Sequence, residues 1–231
     1  MQVESCRCLH SNAGDLGFLL PISKKLEEGF KDRYSYHELK DTQSEDKARY
    51  LLGKDESSLA VILTHGSSSY LLGSEPRRRR NDVSEPSYFL KASNLEVLRN
   101  KVVFCLSCDS NGLASAAMDK GVTSFVGFDD VPFDRFDTSG NPIGSEALRK
   151  HTQRLIADSL ILMFNKFMYS GLSLEEAVDI LRLILYRQAQ NFVRNNPGEG
   201  SKREIAGLLL KVEKGLTLHG EKKVYCKLPT D

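Results

Sequence analysis

Two short, wholly apolar runs constrain this chain more than any other feature: Leu59-Ala60-Val61-Ile62-Leu63 and Val102-Val103-Phe104-Cys105-Leu106. Each is followed within two residues by a reactive side chain, His65 after the first and Cys108 after the second. Small or turn-forming residues come next, Gly66-Ser67-Ser68-Ser69 and Asp109-Ser110-Asn111-Gly112. Apolar runs of this length between turn residues are the pattern of parallel strands, whose two faces are both covered by helices. Ligands of open α/β sheets bind in the crevice beyond the carboxyl ends of the strands. His65 and Cys108 therefore fall where a site belongs, provided that their strands are neighbours. The expectation is an α/β fold with a mostly parallel sheet and helices on both faces.

The chain has 231 residues, enough for one domain of this kind spanning positions 1–231 with a sizeable core. A net charge of +1 gives no reason to expect nucleic acid or an anionic membrane as partner. No apolar run approaches a membrane span, and the N-terminus lacks a basic stretch followed by an apolar one, so a soluble cytoplasmic protein is expected. Five cysteines cannot all pair and form no disulfide framework; a reducing compartment is the simpler setting, where a lone thiol can serve in catalysis.

Along the chain, residues 1–9 alternate weakly and read as an edge strand, with Cys6 and Cys8 pointing to one face as small apolar fillers. Asn12-Ala13-Gly14-Asp15 reads as a turn, and residues 16–30 as a helix that Pro21 starts or interrupts. A strand at 34–39 and a charged helix at 44–52 follow. The stretch 67–87 is the least structured and holds Arg77, Arg78, Arg79 and Arg80. Four adjacent like charges favour an exposed loop, and such a loop is also a candidate processing site for a basic-specific protease, this chain included. The run is isolated and has no interleaved aromatics, which argues against a nucleic-acid patch. Residues 88–100 read as a helix, 112–120 as a short helix stopped at Gly121, and 122–127 as another buried strand. Two long amphipathic helices are expected at 145–169 and 173–195, the second opened by the capping box Ser173-Leu174-Glu175-Glu176. The tail, 206–212 and 224–228, reads as a terminal hairpin.

The chemistry of the pair is simple. A thiol attacks a carbonyl only as thiolate, and a histidine within hydrogen-bond reach removes the proton and later returns one to the leaving amine. Backbone N–H groups at Gly66 and Cys108 are the candidate donors for the oxyanion, Gly66 because no side chain blocks approach.

The strand ending Thr64-His65-Gly66 and the strand ending Leu106-Ser107-Cys108-Asp109-Ser110 resemble those of caspase-like cysteine peptidases, most nearly the CHAT branch related to separases and bacterial caspase homologues. Gly121-Val122-Thr123-Ser124-Phe125-Val126-Gly127, Gly171-Leu172-Ser173-Leu174-Glu175-Glu176-Ala177 and Leu216-Thr217-Leu218-His219-Gly220-Glu221 fit the same pattern, so the resemblance runs from Leu59 onward. It implies a flavodoxin-like core, a His65–Cys108 dyad and endopeptidase activity without metal or organic cofactor. It also implies an S1 pocket partly in the segment after the strand that follows the cysteine strand. That segment holds Asp129, Asp130 and Asp134, and carboxylates there favour Arg or Lys at P1. The Gln-Ala-Cys-Arg-Gly form of animal caspases is missing, so the resemblance does not extend to Asp specificity. Bacterial peptidases of this kind act in antiviral defence, under an activating protein partner, on substrates that include gasdermin-like pore-formers. The helical repeats of many relatives are not found in this sequence.

Two other readings compete: a catalytically silent caspase-like scaffold, and a flavodoxin-like redox or small-molecule domain. Cys105-Leu106-Ser107-Cys108 is formally a C-x-x-C, but Cys105 lies inside the apolar run and no second ligand pair accompanies it, against a redox pair or zinc site. His10, His37, His151 and His219 have no comparable setting, while Tyr70 and Ser67 to Ser69 are candidates for the site wall.

Overall fold

A computed structural model describes residues 1–54, 58–74, 87–132, 146–195 and 200–228. Its strands, in chain order, are β1 (Gln2–Val3), β2 (Ser5–Ser11), β3 (Tyr34–Leu39), β4 (Ser58–Leu63), β5 (Tyr70–Leu72), β6 (Tyr88–Lys91), β7 (Val102–Leu106), β8 (Ser124–Gly127), β9 (Thr217–Gly220) and β10 (Tyr225–Cys226). The α-helices are α1 (Leu20–Phe30), α2 (Thr42–Leu52), α3 (Asn111–Asp119), α4 (Glu146–Tyr169), α5 (Leu174–Asn195) and α6 (Gly200–Gly215). Shorter 3-10 segments cover Gly14–Leu19, Lys31–Arg33 and Ala92–Leu98.

Six strands form the central sheet in the order β3-β2-β4-β7-β8-β9, all parallel except β9, which runs antiparallel to β8. This is the α/β architecture expected from the apolar runs, and its first five strands follow the flavodoxin-like order. Side chains alternate between two cores. Leu59, Val61 and Leu63 of β4, with Val102, Phe104 and Leu106 of β7, pack with α1, α4, α5 and α6. Ala60 and Ile62, with Val103 and Cys105, pack on the other face with α2, α3 and the 92–98 segment. Every residue of β4 and β7 is buried, which is why neither run tolerates a polar interruption. Phe104 anchors the first core, its ring edge-on to Phe128 at 5.7 Å and to Phe164 at 5.0 Å.

Several local signals act as read. Pro21 sits in the first turn of α1. Gly121 takes φ +84 just past α3. In the Ser173–Glu176 box the Ser173 N–H donates to Glu176 Oε2 at 2.8 Å and the Glu176 N–H to Ser173 Oγ at 3.3 Å. Cys6 and Cys8 both point into the first core, where burial pushes the Cys8 thiol up to about 12.

Three expectations need correction. The N-terminal strand is internal, flanked by β3 and β4, and the edge falls to β3. Residues 88–100 are not a helix: Tyr88–Lys91 pairs with Tyr70–Leu72 in an antiparallel ribbon, and a 3-10 segment follows. The ribbon buries Phe89 and Leu90 against Leu71, and that tertiary contact outweighs helix propensity. The tail hairpin is replaced by helix α6. Ile205, Ala206, Leu209, Val212 and Leu216 recur at helical spacing and all face the first core, a period masked by the continuous Leu208-Leu209-Leu210 run.

A further device lies at the neck of the β5–β6 ribbon. The carboxylate of Glu45, buried on α2, accepts from the Ser74 N–H at 2.8 Å and Ser74 Oγ at 3.0 Å through one oxygen, and from Ser87 Oγ at 2.5 Å through the other. The Gly73 N–H meets the Ser87 carbonyl at 2.9 Å. A Cβ on Gly73 would stand 2.1 Å from the Glu45 carboxylate, so any side chain there would push that carboxylate from its place. Arg77, Arg78, Arg79 and Arg80 lie outside the described residues, between these two ends.

Truncating Phe104 to Ala removes a ring buried to 1% exposure and should cost about 3–5 kcal/mol. A denaturant titration should show a lower midpoint with an unchanged slope.

Candidate active site

Leu63 and Leu106 are register partners on neighbouring parallel strands. His65 and Cys108 each stand two residues further along, and the ladder continues between them, with the Thr64 N–H donating to the Leu106 carbonyl at 3.3 Å. Adjacent strands run about 4.8 Å apart. Parity carries the pair further. Counting in steps of two from Leu59 and from Val102 brings His65 and Cys108 to the first-core face, and Cys108 packs against that core. Cys105 has the opposite parity and lies in the second core, where burial pushes its thiol up to about 12. The C-x-x-C therefore straddles the sheet and is no dithiol pair.

Turn geometry after each tip is tightly set. The chain reverses at Gly66, with the Ser67 N–H on the Tyr70 carbonyl at 2.9 Å and the Leu72 N–H on the His65 carbonyl at 2.8 Å. A Cβ on Gly66 would lie 2.4 Å from Ser107 Oγ and 2.7 Å from the Tyr70 carbonyl oxygen, so this turn admits no side chain. Ser67 and Ser69 pair through their hydroxyls at 3.3 Å, and Tyr70 stacks edge-on with Tyr88. After Cys108, Asp109 adopts φ +52, a left-handed kink that swings the chain into α3. Buried Ser110 closes the kink, its hydroxyl donating to the Cys105 carbonyl at 3.0 Å and accepting from the Phe128 N–H at 2.9 Å.

One site residue escaped the sequence reading. Asp15, whose sequence setting reads only as a turn, places Oδ1 at 3.0 Å from His65 Nε2. It sits at the start of the 3-10 segment after β2, on the other side of His65 from Cys108 in strand order. In the flavodoxin-like order the gap between the first and third strands is the topological switch point, so Asp15 becomes a site candidate once the strand order is known. The turn is anchored by buried His10, whose Nε2 lies 3.1 Å from the Leu16 carbonyl, and by the Ala13 N–H on Ser11 Oγ at 3.4 Å. Burial lifts the Asp15 carboxyl, but the hydrogen bond and charge of His65, helped by Arg149 on α4, outweigh it and hold the group below its ordinary value of 3.8. When the imidazole is neutral, an ionised Asp15 makes Nε2 the nitrogen that carries hydrogen and puts the lone pair on Nδ1.

Cys108 is partly exposed, and its thiol donates to the Val131 carbonyl at 3.1 Å. Of the aspartates named for substrate recognition, Asp129 accepts from Asn111 Nδ2 at 2.7 Å and Asp130 lies 3.7 Å from Lys211 Nζ. Asp134 lies outside the described residues. Asp129 and Asp130 are close enough to Asp109 to act on it: burial, then the charge of Asp130 and of Asp129, raises its carboxyl above the ordinary value. Three carboxylates thus border the cysteine turn, one of them paired with Lys211. Among the described residues no group of three or more His, Cys, Asp or Glu side chains is arranged to hold a metal ion, and no helix is long and apolar enough to cross a membrane.

No family model matches the sequence, and no curated protein matches it.

The depressed Asp15 carboxyl has a consequence for stability. Its contribution is complete above the unfolded value near 3.8 and is lost as pH falls through the lower native value. Denaturant titrations from pH 6 down to pH 2 should therefore show a shallower acid loss in Asp15→Asn than in the native chain.

Proposed function

We propose that this chain is a cysteine endopeptidase that cuts protein substrates after Arg or Lys, with Cys108 as nucleophile and His65 as general base. The observation that carries the reading is the shared register and shared face of the two strand tips, with Asp15 on the far side of the imidazole. His65 Nδ1 takes the thiol proton, and the sulfur attacks the scissile carbonyl carbon. The oxyanion is met by the backbone N–H groups of Gly66 and Cys108. The imidazolium, stabilised by the Asp15 carboxylate, gives its proton to the leaving amine, which departs from the acyl-enzyme. A water molecule, deprotonated by the same imidazole, then hydrolyses the thioester.

Asp129 and Asp130 supply negative charge for a basic P1 side chain, a charge-assisted contact that strengthens as the pocket loses water, and Asp134 is the third candidate from the sequence. The chemistry needs no cofactor. The free cysteines suit a reducing cytoplasm. By family analogy the substrate is a protein such as a gasdermin-like pore-former, the setting is antiviral defence, and a protein partner activates the enzyme. Arg77, Arg78, Arg79 and Arg80 are then candidates for self-processing.

The test is a fluorogenic peptide panel with Arg, Lys or Asp at P1. Arg and Lys peptides should be cleaved, Cys108→Ala should be inactive, and His65→Ala should lose roughly 10²–10⁴-fold. A peptidyl-arginyl chloromethyl ketone should label Cys108 and fail to label His65→Ala. Cleavage that survives Cys108→Ala sinks the proposal; absence of both cleavage and labelling leaves a silent scaffold.

Self-processing makes a separate expectation. Prolonged incubation should give fragments ending within Arg77 to Arg80 by intact mass, and Cys108→Ala should stay whole.

A further inference from the structure

Residues 128–132 leave the end of β8 and run across the turn that carries Cys108. The turn donates to three carbonyls of this strap: Asn111 N–H to Phe128 O at 3.1 Å, Asp109 N–H to Asp129 O, and Cys108 Sγ to Val131 O at 3.1 Å. The far side of the strap is held as well. The Asp129 N–H donates to the Gly215 carbonyl at the end of α6 at 3.2 Å, and Gln153, buried on α4, donates through Nε2 to the Pro132 carbonyl at 3.3 Å. Asn111 Nδ2 reinforces the first of these anchors, 2.7 Å from both Asp129 Oδ1 and the Gly215 carbonyl oxygen. Phe128 and Val131 bury their side chains in the first core.

We propose that this strap is a resting latch on the nucleophile: the Val131 carbonyl keeps Cys108 in its neutral, hydrogen-donating form, and withdrawal of Val131 and Pro132 from the sulfur is the step that makes the thiol reactive. The inference rests on the reading of Cys108 as the nucleophile, and concerns how that nucleophile is held back. The physical ground is that the S–H···O bond exists only while the proton stays on sulfur. A thiolate in the same place would face the negative end of a carbonyl dipole, so the contact favours the protonated form over the charged one. The same strap engages the Asp109 N–H, a donor directly beside the reacting sulfur. The latch has two handles, Gln153 on α4 and the end of α6 at Gly215. A change in either helix is transmitted to Val131 through one or two hydrogen bonds and not through the sheet.

The latch is tested by the rate at which iodoacetamide alkylates Cys108 at neutral pH in the full chain, followed by peptide mass spectrometry. Cys226, partly exposed and outside the strap, is the internal reference. Gln153→Leu removes one anchor at similar volume, and Val131→Gly loosens the strap from the core. Each should speed Cys108 alkylation about three- to tenfold, the range for one lost hydrogen bond, and leave the Cys226 rate unchanged. Equal Cys108 rates in the native chain and both variants overturn the latch, as does a rise at Cys226 in step with Cys108. The two proposals fail separately. Faster alkylation without cleavage of Arg or Lys peptides keeps the latch and rejects the peptidase. Cys108-dependent cleavage with unchanged alkylation rejects the latch and keeps the peptidase.

Discussion

The pairing of β4 with β7 is the constraint on which the remainder of this molecule depends. It is a backbone ladder between two fully buried strands, and its register decides where both reactive side chains go. Because side chains alternate with a period of two, a slip of one residue in either strand would send its tip to the opposite face. The two cores guard against that slip. Phe104 fits among Phe128 and Phe164 on one side, while Cys105 and Ala60 belong to the core on the other. Packing thus specifies register, and register specifies the site.

Around that fixed pair the site is built from three different kinds of support. Asp15 reaches His65 from the neighbouring strand end, held by a turn that His10 and Ser11 anchor. Gly66 permits a reversal so close that Ser107 and Tyr70 leave no room for a methyl group. Ser110 and the kink at Asp109 set the direction in which the helix leaves the cysteine. Each support comes from a segment beyond a strand end, so the sheet supplies position and the loops supply chemistry.

What was legible in the sequence follows from the range of the interactions involved. The two apolar runs, the box at Ser173 and the stop at Gly121 are local statements about burial and backbone angle, and each describes the structure. The His65–Cys108 neighbourhood was legible because strand ends in parallel sheets converge on one edge. Asp15 was missed because its role depends on which strand lies beside which, and a turn sequence carries no record of its neighbours. The strand at Tyr88–Lys91 was hidden for the same reason, since it exists by pairing with Tyr70–Leu72. Helix α6 was obscured by chemistry, not distance: three consecutive leucines look alike at period two and at period 3.6, and only Ile205, Val212 and Leu216 reveal the helical spacing.

Glu45 has one more implication. Its carboxylate grips Ser74 with one oxygen and Ser87 with the other, so it joins two points that the chain itself connects only by way of the arginine run. A nick between those serines would divide the molecule into an amino-terminal piece holding Asp15 and His65 and a carboxy-terminal piece holding Cys108. The seam between the pieces would include the buried β4–β7 ladder, with the β5–β6 ribbon and the β1–β10 pair crossing it as well. Such a molecule would consist of two polypeptides yet remain a single particle, inseparable short of unfolding.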